Sequence, residues 1–249
     1  MQNPEEQFQQ GRARNFSTTH WTVVLLAGDS KSGGAANALE NLCRTYWYPL
    51  YAYVRSRGRS AHDAQDLTQE FFRRILEKKY LKLADPEKGK FRTFLLTSMD
   101  NFLFNDWEKS QAIKRGGGQE NISIDSDKLE NRYILEASNG NSPDKIYDKS
   151  WALALLENVL NQLRGEYAQT GKQGLFEALK GRALGDAGSD EDYCALSERL
   201  KVSQGSLRVG AHRMRERYRE LLFTEVSHTV SSVEDVDGEL RHLIATLRA

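Results

Sequence analysis

The sequence lacks the features of membrane, secreted and disulfide-stapled proteins. No stretch approaches the ~18 uninterrupted apolar residues of a membrane span. The polar start, Met1 to Gly11, has no apolar core of the kind found in signal peptides. Cys43 and Cys194, the only cysteines, lie far apart in apolar helical patterns, which favours buried, reduced thiols over a bridge or a metal site. These absences predict a cytoplasmic protein with no membrane insertion.

The sequence also lacks net charge, since 35 Lys and Arg balance 35 Asp and Glu. The two signs are nevertheless segregated along the chain. Residues 30–115 carry 16 basic against 10 acidic residues, and residues 199–219 carry 7 against 1; residues 119–149 and 220–249 are acidic. Attraction to phosphate is local, so a neutral chain with two basic segments can still bind a polyanion.

Motifs for enzymatic chemistry are missing as well. The chain has no Walker-type loop, no GxGxxG element and no Ser or Cys nucleophile motif. His62 and Asp63, followed by Asp66 and Glu70, could suggest the metal cluster of a phosphohydrolase, but only His20 is available upstream as a further histidine ligand. We therefore predict no catalytic residue, no metal and no cofactor.

Apolar residues recur at helical spacing along most of the chain, with little of the alternation expected of strands. The pattern predicts an all-α protein of two helical domains joined by a flexible linker, the second containing a helix-turn-helix. Trp21 to Leu25 suggest a first short helix, and Pro49 suggests the first turn of a new one. The expected parts are a first domain at 17–118, a linker at 119–149, a second domain at 150–222 and an acidic C-terminal extension at 223–249.

The most specific motif, Tyr193 to Tyr218, reads as two short helices around a Lys-Val-Ser turn. The second helix begins with polar side chains suited to the edges of bases in the DNA major groove: Gln204, Ser206 and Arg208. Four arginines follow that can reach phosphates: Arg213, Arg215, Arg217 and Arg219. The alternative interpretation of Tyr193 to Tyr218 is a plain helical hairpin with a solvated basic face.

Two further motifs suggest a family. The run Asp63-Ala-Gln-Asp-Leu-Thr-Gln-Glu-Phe-Phe72 closely resembles the polymerase-binding helix in region two of bacterial sigma factors. The run from Phe91 to Trp107 resembles the helix with which that family opens and reads the minus-ten promoter element. The helix-turn-helix resembles region four. With no third domain between these regions, the chain resembles a sigma factor of the extracytoplasmic-function type.

The resemblance implies a protein that binds core RNA polymerase, directs it to promoter DNA and helps to melt the DNA, with no catalysis of its own. Asp66, Gln69 and Glu70 match positions that contact the clamp helices of the large polymerase subunit. Their i, i+3, i+4 spacing places them on one helix face. Without the resemblance, a solvated acidic face is the simpler interpretation.

Residues of the minus-ten helix match positions near unpaired bases: Asn101, Asn105 and Trp107. Basic residues at the end of that helix are expected phosphate contacts: Lys109, Lys114 and Arg115. Asp100 departs from the family pattern, because many relatives carry a basic residue there. Phe91, Phe94 and Phe102 are expected in the core, since their spacing builds an apolar stripe.

An alternative function is that of a helix-turn-helix transcriptional regulator with an N-terminal sensing domain. It accounts for Tyr193 to Tyr218 equally well, but not for the first domain's motifs. An anti-sigma protein or the acidic extension is a candidate regulator under the sigma-factor hypothesis. The extension, with its amphipathic end, is expected to cover a basic surface of either domain.

Overall fold

The computed structural model describes residues 34–76, 89–112, 126–137, 141–185, 193–230 and 232–248. Within these ranges the secondary structure is helical and contains no strand, which confirms the all-α prediction there. None of the described helices is long and apolar enough to span a bilayer. The predicted helix at Trp21 to Leu25 lies outside the described residues. The α-helices are α1 (Gly34–Ser56), α2 (Ala61–Leu76), α3 (Phe91–Ala112), α4 (Ser126–Ala137), α5 (Pro143–Gln169), α6 (Gln173–Leu184), α7 (Tyr193–Leu200), α8 (Gln204–Ser227) and α9 (Val236–Arg248).

The chain divides into two compact units. The first comprises the residues up to Ala154 together with those from Val226 onward, and the second comprises Leu155 to Glu225. In the first unit, α1 packs against α2 and α4, and α2 packs against α3. Helices α5 and α8 each contribute residues to both units. The segment predicted as an acidic C-terminal extension, 223–249, therefore lies mainly in the first unit.

Helix α1 runs without a break through Pro49, so the prediction of a new helix at this proline is wrong. An interior proline removes one backbone hydrogen bond and costs about 3 kcal/mol or more. The helix continues because residues on both sides of Pro49 are buried together; Tyr46, Leu50 and Val54 are all fully buried. Burial of such side chains contributes roughly 1.5–3 kcal/mol each, which outweighs the defect.

The range predicted as a linker, 119–149, includes helix α4 and the start of α5. Helix α4 packs against α1, where Glu130 accepts hydrogen bonds from Tyr51 Oη and Arg55 Nε, both at 2.9 Å. The Arg132 guanidinium lies 3.9 Å from the centre of the Tyr48 ring. Helix α5 begins at Pro143. Specific polar contacts, rather than a long apolar stripe, hold α4, so the sequence pattern here is weak.

The C-terminal segment joins the first unit through a buried charge cluster. Glu239 of α9 is fully buried and contacts Arg92 Nε at 2.7 Å and Lys90 Nζ at 2.6 Å. Arg92 also contacts Asp148 at 2.6 Å. The Phe91 amide donates to the Thr229 carbonyl at 3.4 Å. Glu239 of the extension thus contacts basic residues at the start of α3 from inside the fold.

In the second unit, α7, a short turn and α8 follow one another around a small apolar core. Phe176, Leu179, Leu196, Leu207 and Met214 are buried there. The turn places Lys201 in the left-handed region, with φ at 53°, and the Val202 amide donates to the Ser197 carbonyl. The prediction of buried thiols is wrong for Cys194, which is exposed; Cys43 is half-buried.

Candidate nucleic-acid interface

A surface cleft of about 520 Å³ lies between the middle of α3 and the turn that follows α1. Helix α3 contributes one set of lining residues, and the turn contributes two arginines. The lining residues are Arg57, Arg59, Asp100, Asn101, Leu103, Phe104 and Trp107. The cleft therefore combines aromatic, amide and guanidinium groups on one surface of the first unit.

The cleft presents two large aromatic side chains to solvent. Phe104 is 59% exposed and Trp107 is 50% exposed, whereas Phe91, Met99 and Phe102 on another face of α3 are buried. Asn101, Phe104 and Trp107 follow one another at spacings of three, so they share a helix face. An aromatic ring can stack on an unpaired nucleic-acid base, which stabilises binding by about 1–3 kcal/mol per base. This face of α3 is chemically suited to single-stranded nucleic acid.

Asp100 links α3 to α1 at the edge of the cleft. Tyr53 Oη donates a hydrogen bond of 2.5 Å to Asp100 Oδ1, and Arg57 lies 3.7 Å from the same oxygen. Burial raises the pKa of the Tyr53 hydroxyl, and the bond to Asp100 raises it further, so the phenol stays protonated and donates. The acidic residue that departs from the sigma-factor pattern thus has a structural partner in α1.

The structure brings together only some of the predicted DNA-contacting residues of the first unit. Asn101 and Trp107 line the cleft, while Asn105 is exposed on α3 outside the lining. Lys109 lies on α3 with its side chain outside the description, and Lys114 and Arg115 lie outside the described residues. Sequence reasoning missed Arg57, Arg59 and Phe104. Two sequence features could have indicated them: Arg57 and Arg59 form an Arg-Gly-Arg turn directly after a helix, and Phe104 is an aromatic residue outside the apolar stripe of α3.

The predicted polymerase-binding residues lie on α2, which Ser60 caps by accepting the Asp63 amide proton at 3.1 Å. Glu70 accepts hydrogen bonds of 2.7 Å from Arg73 and Arg74. The bond from Arg73, with that from Arg74, lowers the pKa of the Glu70 carboxyl to about 2 against the opposing effect of burial. Asp66 Oδ2 lies 3.3 Å from His62 Nδ1, and Gln69 is half-buried. Much of the acidic charge on this face is paired within the helix.

The start of α8 presents the polar side chains predicted to face bases. Gln204, Ser206 and Arg208 are exposed, and the Arg208 guanidinium lies 5.5 Å from the centre of the Tyr193 ring. Ser203 caps the helix by accepting the Ser206 amide proton at 3.2 Å. The cap fixes the helix start from which these side chains project.

The arginines farther along α8 have different environments. Arg213 is exposed and has no ion-pair partner among the described residues. Arg215 donates to the carbonyls of Ala183 at 2.9 Å and Arg182 at 3.3 Å, at the end of α6. Arg217 contacts Glu166 and Glu220, and Arg219 contacts Glu216. Three arginines of the basic face predicted from the sequence, Arg215, Arg217 and Arg219, therefore already make contacts within the second unit.

Residues 42–113 match the family model of sigma-70 region 2. The match supports a sigma-70 family factor and spans most of α1 with all of α2 and α3, so both the cleft and the predicted polymerase-binding face lie inside the matched residues. Region 2 belongs to non-enzymatic transcription initiation factors that bind RNA polymerase and promoter DNA. No curated protein and no solved structure matches the chain.

Proposed function

We propose that this chain is a sigma factor of the extracytoplasmic-function type, which binds core RNA polymerase, directs it to promoters and helps to open the DNA. The observation that carries the proposal is the cleft within region 2, where exposed Phe104 and Trp107 adjoin Asn101 and two arginines. A pocket that holds an unpaired base needs a stacking surface and polar groups for the base edge. A cytoplasmic location fits a factor that works on polymerase and DNA.

In this function, α3 receives the minus-ten element. Trp107 stacks on an unpaired base, and Asn101 offers both a donor and an acceptor to its edge. Asn105 contacts the strand beside the cleft. Lys109, Lys114 and Arg115, at and beyond the end of α3, contact backbone phosphates. Opening the duplex costs a few kcal/mol for each unstacked base, and these contacts offset that cost.

The α2 face binds polymerase through Asp66, Gln69 and Glu70. Because Glu70 already pairs with Arg73 and Arg74, a basic partner residue must compete with two internal guanidiniums for this carboxylate. Asp66 lies 3.3 Å from the exposed His62 in the same helix. We therefore expect Glu70 to contribute less binding energy than a carboxylate without internal guanidinium partners would.

Helices α7 and α8 act as the helix-turn-helix of a region-four domain at 150–222, which reads the minus-thirty-five element. Gln204, Ser206 and Arg208 contact base edges in the major groove, and Arg213 contacts a phosphate. Arg215 was also expected at a phosphate, but its bonds to the α6 carbonyls favour a role in holding α6 against α8. The region-two domain at 17–118 and the extension at 223–249 complete the proposed domain layout.

Capture of purified core polymerase by the immobilised full chain tests the proposal. Wild-type protein should retain polymerase, and Asp66→Ala should weaken binding by about 2–5 kcal/mol, because it leaves a partner charge unpaired. Glu40→Ala is the matched control, since Glu40 is an exposed acid of α1 in an i, i+4 pair. Thermal unfolding of each variant checks that the fold survives.

Run-off transcription from genomic fragments with the captured complex then identifies the promoters. Failure of the wild-type chain to capture polymerase would refute the proposal. Stable binding of the free chain to duplex DNA, with no capture of polymerase, would favour a helix-turn-helix regulator with an N-terminal sensing domain instead. In that case the cleft would not have its proposed role of binding an unpaired promoter base.

A further inference from the structure

We propose that Arg57 and Arg59, on the turn after α1, bind backbone phosphates of the single strand whose base occupies the cleft, and that the Glu130–Arg55 pair positions this turn. The inference rests on the proposed function and extends it to residues outside the minus-ten helix. In this arrangement α3 contacts the base of the bound strand, and the turn after α1 contacts the phosphates of the strand's backbone.

The two arginines are available for a ligand. The Arg57 side chain is about half exposed, and its carboxylate neighbour, Asp100, lies 3.7 Å away and is itself hydrogen-bonded to Tyr53. Arg59 has no carboxylate partner among the described residues. A guanidinium has five N–H donors in a planar fork, so Arg57 can keep its contact with Asp100 and still donate to a phosphate.

Backbone hydrogen bonds fix the turn that carries these arginines. The Arg57 amide donates to the carbonyls of Tyr53 and Val54, both at 3.2 Å, and the Gly58 amide donates to the Arg55 carbonyl at 3.0 Å. Gly58 has a φ of +85°, which favours glycine. Ser60 then caps α2 immediately after the turn. Backbone hydrogen bonds to the end of α1 therefore hold one end of the turn, and the Ser60 cap of α2 holds the other.

A side-chain relay ties the same turn to α4. Arg55 donates to the carbonyl of Arg59, and its Nε donates to Glu130 Oε2 at 2.9 Å. The hydrogen bond from Arg55 lowers the pKa of the Glu130 carboxyl, with a smaller contribution from Tyr51 and against the effect of burial, so Glu130 stays charged near neutral pH. Glu130 and Arg55 hold the Arg59 backbone before any ligand binds. Such preorganisation reduces the ordering cost of binding.

The combination of groups selects single-stranded nucleic acid over other anions. Stacking rings beside guanidinium groups are the recognition elements of grooves that bind single strands. An isolated acidic peptide would use the arginines but not the two exposed aromatic rings. An RNA or DNA strand uses both, with its bases on Phe104 and Trp107 and its phosphodiesters on the turn. Promoter opening supplies a DNA strand of this kind.

The test uses the complex of the full chain with core polymerase and a promoter fragment from the run-off experiment, carrying a pre-opened minus-ten bubble. The double substitution Arg57→Ala, Arg59→Ala should weaken bubble binding about tenfold. The plot of log affinity against log salt should become shallower by about 0.7 for each lost phosphate contact. Arg44→Ala is the matched control, because Arg44 is an exposed arginine of α1 outside the cleft.

Two further measurements separate a phosphate contact from a structural role. The double substitution Arg57→Lys, Arg59→Lys should restore most of the salt dependence, because it keeps the charge. Wild-type complex should show the same shallower slope on a bubble whose single strand carries neutral methylphosphonate linkages, and this arm needs no variant to fold. Glu130→Ala should flatten the slope while polymerase capture stays at the wild-type level.

The outcomes distinguish the two proposals. If the wild-type complex does not bind the bubble, the proposed function fails and this inference fails with it. If it binds, but the double alanine variant keeps wild-type affinity and slope, the arginines do not contact phosphates, and only the inference is overturned. An unchanged slope on the neutral bubble overturns it equally. An unchanged slope in Glu130→Ala refutes the positioning role.

Discussion

The two units use their charged residues in different ways. In the first unit, Arg92 is 8% exposed and Glu239 is fully buried, and together they connect α3 to α9. In the second unit, the Arg217 and Glu166 side chains remain 45% and 40% exposed. Water screens the exposed pair, whereas the buried pair has lost its hydration and depends on its partners. Counts of charge along the sequence therefore say little about which arginines are available to a ligand.

Breaking the buried cluster should have the largest effect on stability. Arg92→Ala removes a partner of Glu239 and of Asp148, and it should lower the free energy of unfolding by about 3–5 kcal/mol. The measurement is urea unfolding of the full chain. Arg217→Ala, which breaks an exposed pair, should cost about 1 kcal/mol or less. Equal losses in the two variants would contradict the contrast between the units.

The second comparison sets two arginines of α8 against each other. Arg215→Ala should destabilise the fold by about 1–2 kcal/mol, because its charged side chain donates to two backbone carbonyls of α6. Arg213→Ala should leave thermal unfolding unchanged and weaken binding to all promoter sequences alike, as expected of a lost phosphate contact. Unfolding curves and gel-shift titrations of both variants provide the measurement. If Arg213→Ala destabilised the fold and Arg215→Ala weakened promoter binding without a loss of stability, the observed contacts would not explain the roles of these two arginines.

Removing the cap of α8 should have a smaller effect. Ser203→Ala deletes the side-chain acceptor of the Ser206 amide and should cost about 1 kcal/mol of stability. Promoter affinity should fall only to the extent that the start of α8 frays. Ser203→Asp is the matched variant, because it retains a capping oxygen, and it should recover most of the loss. Thermal unfolding of both variants distinguishes loss of the cap from a general effect of substitution.

Acid titration of the α2 face should give the smallest effect. The folded pKa of Glu70, about 2, is below its ordinary value of 4.5, so its contribution to stability is present above pH 4.5 and is lost as pH falls towards 2. Because this side chain is one-third exposed, we expect the contribution to be about 1 kcal/mol or less. Glu70→Gln should remove that part of the pH dependence. A difference between variant and wild type that persists unchanged to pH 2 would contradict the assignment.

Several features followed from sequence because they depend on local periodicity and capping. The burial of Phe91 and Phe102 in α3, the cap of α2 at Ser60 and the turn before α8 needed only neighbouring residues to define them, whereas Phe94, also expected in the core, is only half-buried. Other features depend on distant contacts. Pro49 stays inside α1 because of the core around it, and α4 is held partly by Arg55, which no pattern within α4 reveals.

The sequence by itself determined the helical class, the segregated charge and the motifs that resemble sigma-70 region 2. These are properties of short stretches, in which helix spacing and residue type act locally. Only the tertiary structure decided that Arg57 and Arg59 share a cleft with Trp107, that Arg215 holds α6, and that Glu239 is buried against Arg92. Each of these three features brings together residues that are distant in sequence. The packing of the whole unit decides which such residues meet and exclude water from one another.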